Sequence, residues 1–195
     1  MTGLDQLLDM LAVRSAQRGR FILSSGKEST LYVDARLTTM SPDGLALIGP
    51  LGLDAIRRKW RAIDAVGGLT LGADPVAYAI AYASAGTERP LRAFTVRKEP
   101  KAHGTGRLIE GPFQAGDHVV IVEDVITTGA SALRAADAVH RAGGIVEGIL
   151  AIVDRDEGGR EALEGANLAV VSLTRGADIL ARMPAGPHPG QPVAG

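Results

Sequence analysis

The 195-residue chain contains no cysteine. That excludes disulfides, thiolate metal sites and a cysteine nucleophile at once, and it fits a reducing compartment. Aromatic residues are only 4% of the chain. The core must therefore be built from Ala, Val, Leu and Ile. Neither sign of charge prevails, since 21 Lys and Arg stand against 22 Asp and Glu. No global field draws such a chain to nucleic acid or to an anionic membrane. No apolar run approaches the roughly 18 residues of a membrane span. The start, Met-Thr-Gly-Leu-Asp-Gln, lacks the basic and apolar segments of a signal peptide. The cytoplasm is the expected location.

What the chain has in excess is glycine. There are 25 in 195 residues, about 13% against a typical ~7%. They follow no three-residue period, so collagen is excluded. With 46% hydrophobic and 22% charged residues, the chain can bury a real core. Many backbone positions must need the freedom or close approach that glycine allows.

The patterning alternates between two periods. Leu4, Leu7, Leu8 and Leu11 repeat at helical spacing behind a Thr2/Asp5 capping box. Phe21–Leu23 and Leu31–Val33 read as short strands around a Ser24–Lys27 turn. Ser41-Pro42 opens a helix with Leu45, Ile48, Gly52 and Ile56 on one face. Strands are expected at 63–66, ending in Gly67-Gly68, and at 91–96, 118–122, 145–153 and 168–173. Helices are expected at 75–83, 131–141, 159–163 and 178–182. Residues 97–117 show no period and read as a long loop.

Apolar strands alternating with helices predict an α/β fold, a central mostly parallel sheet of about five strands flanked by helices. A small N-terminal hood is expected from about residues 1–40, within a single domain spanning 1–183. Residues 184–195 hold four of the ten prolines and read as a loose tail. Ligands of such sheets bind beyond the carboxyl ends of the strands.

The segment His118-Val-Val-Ile-Val-Glu-Asp-Val-Ile-Thr-Thr-Gly-Ala-Ser131 carries the strongest chemistry. A buried strand delivers two adjacent acids, Glu123 and Asp124. The turn Thr127, Thr128, Gly129, Ala130, Ser131 then opens a helix. Small residues leave the N–H groups of a helix N-terminus open to a phosphate. The paired acids suit sugar hydroxyls, which donate to carboxylates. The glycine-lysine loop of nucleoside triphosphate enzymes and the dinucleotide fingerprint are both missing. A second constellation is Arg97-Lys98-Glu-Pro-Lys101-Ala-His103-Gly. From Arg92 to Arg107 there are five basic residues and one Glu, in an otherwise nearly neutral chain. A long, cationic, glycine-hinged loop would suit a pyrophosphate leaving group.

The first segment resembles the phosphoribosyl pyrophosphate (PRPP) motif of type I phosphoribosyltransferases. The resemblance implies that Glu123 and Asp124 meet the ribose hydroxyls, that Thr127 to Ser131 wrap the 5′-phosphate, and that Val125 and Ile126 between them also belong to the PRPP site. The second is similar to the catalytic loop of orotate phosphoribosyltransferases. It implies that Arg97, Lys98, Lys101 and His103 bind PRPP. Lys101, His103 and Asp124 would be catalytic, in a site shared across a homodimer.

The acceptor base is a separate question. Phe21-Ile-Leu-Ser-Ser25-Gly26-Lys27-Glu-Ser29, followed by Tyr32-Val-Asp34-Ala-Arg36, resembles the base-enclosing segment of orotate phosphoribosyltransferases. Ser25, Gly26, Lys27 and Tyr32 are its candidate orotate contacts. Arg155 is a permanent planar cation suited to a carboxylate. The resemblance puts it on orotate together with Thr127. Read locally, Arg155 would instead be a surface residue paired with Asp156 or Glu157.

The chain also departs from the family pattern. Ser24 and Gly72 stand where many relatives carry lysine. Either the loop cations compensate, or backbone N–H groups of Thr70 to Ala73 hold the pyrophosphate, as Gly72 would permit. Mg²⁺ is the expected cofactor, held mainly through substrate and water. Transfer of the phosphoribosyl group to orotate is the expected activity. Transfer to a purine and a PRPP-sensing regulator are the alternatives. His118 and His140 read as structural, and His188 as uninvolved.

Overall fold

The computed structural model describes residues 2–22, 28–99 and 107–184. Helix α1 (Gly3–Met10) starts at the expected capping box. The Thr2 hydroxyl accepts from the Asp5 N–H at 3.2 Å, and the Asp5 carboxylate accepts from the Thr2 N–H at 3.0 Å. A π-helical turn, Leu11–Ser15, leads into an antiparallel hairpin of β1 (Ala16–Ile22) and β2 (Glu28–Val33). Both strands are longer than expected. Leu23 and the Ser24–Lys27 turn lie outside the described residues. The short helix α2 (Arg36–Thr39) precedes α3 (Pro42–Lys59), where the Ser41 hydroxyl accepts from the Gly44 N–H at 3.2 Å.

The remaining elements alternate. They are β3 (Ala65–Leu69), α4 (Ala73–Ser84), β4 (Arg92–Val96), β5 (Ile109–Glu110), β6 (His118–Ile126), α5 (Ala130–Arg141), β7 (Ile145–Asp154), α6 (Gly159–Gly165), β8 (Val170–Arg175) and α7 (Gly176–Arg182). The sheet order is β5-β4-β3-β6-β7-β8. Five strands are parallel, as expected, and β5 joins β4 antiparallel. Two expectations need correction. The segment 97–117 is not wholly loop, because β5 returns the chain along β4. Gly67 and Gly68 do not end the third strand but lie inside it. A Cβ at Gly67 would sit 2.6 Å from the Phe94 ring, and one at Gly68 would sit 2.6 Å from the Ala73 methyl.

Strand alternation sorts the core onto two faces. Val120 and Val122 join Leu150 and Ile152 under α1, α3 and α4. Leu31 and Val33 of the hairpin belong to this same cluster. Val119 and Ile121 join Ile149, Ala135 and Val139 under α5, with Leu163 from α6. The single tryptophan, Trp60, ends α3 and covers Gly148 near the start of β7, where a Cβ would lie 2.5 Å from the indole.

The chain leaves β3 for β4 on one side, then returns to β6 on the other side of β3. The two central carboxyl ends therefore face a common crevice, the place where open α/β sheets bind ligands. At the outer end of the sheet, the buried Asp154 carboxylate accepts from Arg160 Nε at 2.7 Å. Arg160 also donates to the Val170 carbonyl at 2.9 Å and to Ser172 at 2.8 Å. This pins α6 to β7 and β8. Asp154→Ala removes the buried partner of Arg160 and leaves this partly buried cation only the exposed Glu164, at 3.5 Å. It is expected to destabilise the fold by about 3–5 kcal/mol, read as a lower urea midpoint with unchanged slope.

Candidate functional site

The crevice is built from the carboxyl ends of β3 and β6. The run Val119–Val122 is wholly buried and carries Glu123 and Asp124 to its end. Both acids lie within β6, so the strand holds them rigidly. Glu123 is 5% exposed, and its Oε1 has no hydrogen-bond partner among the described residues. Burial, reinforced by the neighbouring Asp124 charge, pushes its pKa up to about 8. Burial also raises that of Asp124. The Val125 N–H, donating at 2.9 Å, and the Arg36 charge oppose that rise. Arg36 itself holds Asp34 through two bonds of 2.8 and 3.0 Å.

Gly129 turns the chain from strand to helix at φ +78°, a left-handed conformation that glycine adopts freely. It supplies no side-chain cap, so α5 begins with open N–H groups. Thr128 Oγ1 accepts weakly from the Ala130 N–H at 3.4 Å. Thr128, Ala130 and Ser131 are exposed, and Thr127 is half-buried. Together with Glu123 they line one concavity. Small exposed residues over a bare helix start make an anion cradle. Val125 is half-buried, whereas the Ile126 side chain is 1% exposed and belongs to the core. The Ile126 carbonyl accepts from the Arg155 N–H at 3.1 Å.

The loop after β3 faces these acids. A Cβ at Gly72 would lie 2.6 Å from the carboxyl carbon of Asp124. Glycine at this position leaves room for the Asp124 carboxylate where it stands. Any side chain there must displace Asp124.

Arg155 pairs with Glu157, as the local reading expects, but it is buried rather than on the surface. Its side chain is 5% exposed. It donates to Ser29 Oγ at 3.1 Å and to the Leu31 carbonyl at 2.5 Å, and it pairs with Glu157 at 2.7 Å. Its Nε has no hydrogen-bond partner among the described residues. The guanidinium thus joins the end of β7 to the hairpin. Tyr32, next to Leu31 in sequence, is exposed and packs on Phe21 at 5.5 Å between ring centroids.

Of the cationic segment, Arg97 reaches Glu110 at 3.6 Å and the Lys98 carbonyl accepts from Arg134 at 2.9 Å. Lys98 is exposed. Lys101 and His103, like Ser25, Gly26 and Lys27, lie outside the described residues, as does His188. His118 Nδ1 meets Glu147 at 2.6 Å, at the amino end of β6 and away from the crevice. Sequence reasoning missed part of the surroundings of the site: the bonds from Arg155 to Ser29 and the Leu31 carbonyl, and Arg36 near Asp124. Arg36 sat within the Tyr-Val-Asp-Ala-Arg run, and its alternation with Asp34 was the available signal.

This sheet, with paired acids leading into a bare helix start at its switch point, defines a type I phosphoribosyltransferase. No protein-family model matches the chain. The orotate phosphoribosyltransferase of Aquifex aeolicus is 45% identical over 177 residues, 91% of this chain and 96% of that one. That of Mycobacterium avium is 47% identical over 176 residues, 90% and 96% of the two chains. The crystal structure of the Mycobacterium tuberculosis orotate phosphoribosyltransferase in complex with PRPP superposes with a TM-score of 0.76 at 41% identity. It covers 91% of this chain and 99% of that one. The chain belongs to the orotate phosphoribosyltransferase family.

The raised pKa of Glu123 sets a pH dependence. The folded state holds the proton more tightly than the unfolded chain does. Glu123 therefore becomes a growing liability as pH rises from about 4.5 to about 8. Glu123→Gln should melt close to the parent at pH 5 and progressively above it toward pH 8, measured by thermal unfolding without substrate.

Proposed function

We infer that the chain transfers the 5-phosphoribosyl group from PRPP to orotate, giving orotidine 5′-monophosphate and pyrophosphate in pyrimidine synthesis. The observation that carries the reading is the rigid pair Glu123–Asp124 leading into the uncapped start of α5. The N–H groups and hydroxyls of Thr127 to Ser131 receive the 5′-phosphate. Glu123 and Asp124 accept hydrogen bonds from the ribose hydroxyls, which favour their ionised forms. Arg155 and Thr127 receive the orotate carboxylate, with Tyr32, Ser25, Gly26 and Lys27 enclosing the base. Arg97, Lys98, Lys101 and His103 surround the pyrophosphate.

Rupture of the C1–O bond develops positive charge on the ribose and negative charge on the leaving oxygens. Asp124 offsets the first, and Lys101 and His103 the second. Exclusion of water matters because hydrolysis of PRPP competes with transfer. The backbone N–H groups of Leu71 to Ala73 meet the pyrophosphate in place of a lysine at position 72, since the Thr70 N–H is committed to the Val96 carbonyl. Among the described residues no cluster of three or more acidic or histidine side chains could cage a metal ion. The unpartnered oxygen of Glu123 beside Asp124 suits an ion carried on substrate and water, so Mg²⁺ fits here. Its chemistry, when bound, is to neutralise pyrophosphate charge.

The same reading includes one domain over residues 1–183 with its hood, a cytoplasmic location and a homodimer with shared sites. Among the described residues no helix is long and apolar enough to cross a membrane. An apolar groove of about 550 Å³ runs between α3 and α4, lined by Leu45, Pro50, Tyr78 and Tyr82. Tyr82 is 86% exposed there, which supports a second copy as its cover.

Orotate, adenine, hypoxanthine and uracil should be assayed with PRPP, and only orotate is expected to turn over. Lys101→Ala should lower kcat by roughly 10²-fold; an unchanged rate would remove Lys101 from catalysis. Randomly mixed Lys101→Ala and Asp124→Ala subunits should regain about a quarter of parental activity if each site draws on both subunits. No recovery would mean that each subunit completes its own site.

A further inference from the structure

The loop after β3 is anchored by a group outside both motifs. Asp74 stands in the first turn of α4, where a carboxylate ordinarily serves the free N–H groups of its own helix. Here α4 has no side-chain cap at its N-cap position, Gly72, and Asp74 is turned to other elements. Thr70 Oγ1 donates to one carboxylate oxygen at 2.6 Å, and Thr95 Oγ1 donates to the other at 2.8 Å. With the Thr95 proton committed, the Tyr78 hydroxyl 2.8 Å away must be the donor to Thr95. Thr70 is the residue on which the chain leaves β3, and its N–H donates to the Val96 carbonyl at 2.8 Å. Thr95 lies on β4, which leads to Arg97 and Lys98. One carboxylate thus ties both ends of the arc 70–74 to the strand that feeds the cationic segment.

We propose that Asp74 is a positioning residue for the pyrophosphate group of PRPP. By holding Thr70 and Thr95, it fixes the backbone N–H groups of Leu71, Gly72 and Ala73 where the phosphates are received. The inference rests on the reading that this loop meets pyrophosphate. Its physical basis is that a lysine at position 72 could follow its ligand, whereas backbone donors must be held in place beforehand. Charge-assisted hydrogen bonds hold such a loop more firmly than neutral ones. Displacement of a binding group by about 1 Å costs heavily. Gly72 also lies against Asp124, so a loose loop would disturb the ribose acids as well.

The test compares Asp74→Ala, Thr95→Val and Thr95→Ser with the parent. Three quantities are measured: KM for PRPP, KM for orotate, and pyrophosphate affinity by calorimetry. Asp74→Ala and Thr95→Val are expected to raise KM for PRPP and weaken pyrophosphate binding by about tenfold or more, with KM for orotate within about twofold. Thr95→Ser keeps the hydroxyl and should restore parental values. Equal changes in both KM values, or a serine variant no better than valine, would overturn the proposal. So would effects that track a fall in Tm. Should Asp74→Ala not fold, the valine and serine pair decides alone. The calorimetric arm does not depend on which base is transferred. A parent inactive on orotate would therefore count against the function while leaving the Asp74 result readable.

Discussion

The close approach of Gly72 to the Asp124 carboxylate is the constraint around which the site is arranged. Two strands of a parallel sheet end side by side, and their loops would normally diverge. Here one loop presents a bare Cα, and the other presents an acid held by its own strand. Where they meet, backbone stands on one side and a carboxylate on the other. Such a wall offers donors to phosphate and acceptors to hydroxyls without any long flexible side chain. The glycine excess that stands out in the composition has one of its plainest uses here.

The second organising feature is the way the hairpin is tied to the body. Leu31 and Val33 enter the core shared with α1 and α3. Arg155 then fastens the hairpin to the end of β7 through Ser29 and the Leu31 carbonyl. Arg18 adds a bond to the Leu180 carbonyl at 2.7 Å, linking the hairpin to α7. The hairpin is therefore held to the end of β7 by a permanent cation. In the free protein its charge is matched by Glu157 at 2.7 Å.

Much of this was legible in the sequence, and the reasons differ by element. The β6 run could be read because four consecutive buried residues have no other use in a doubly wound sheet. The start of α5 could be read because Thr-Gly-Ala-Ser cannot pack a core. The hidden parts have physical reasons too. Strand β5 is two residues long and owes its existence to β4, so it has no period of its own. Gly67 and Gly68 looked like a strand end because glycine is poor in strands, yet the Phe94 ring and the Ala73 methyl require them. The partners of Arg155 on the hairpin are 124 and 126 residues away in sequence, beyond any local pattern. Asp74 resembles any first-turn acid until Thr95 is seen across the sheet.

The scarcity of aromatic residues carries an experimental consequence. The one tryptophan, Trp60, is 8% exposed and rests on Gly148, near the amino end of β7. The crevice lies at the opposite, carboxyl end of the strands. Intrinsic indole fluorescence will therefore report loss of the fold and stay silent on ligand binding. The protein comes with a built-in optical probe of unfolding that is insulated from its own chemistry.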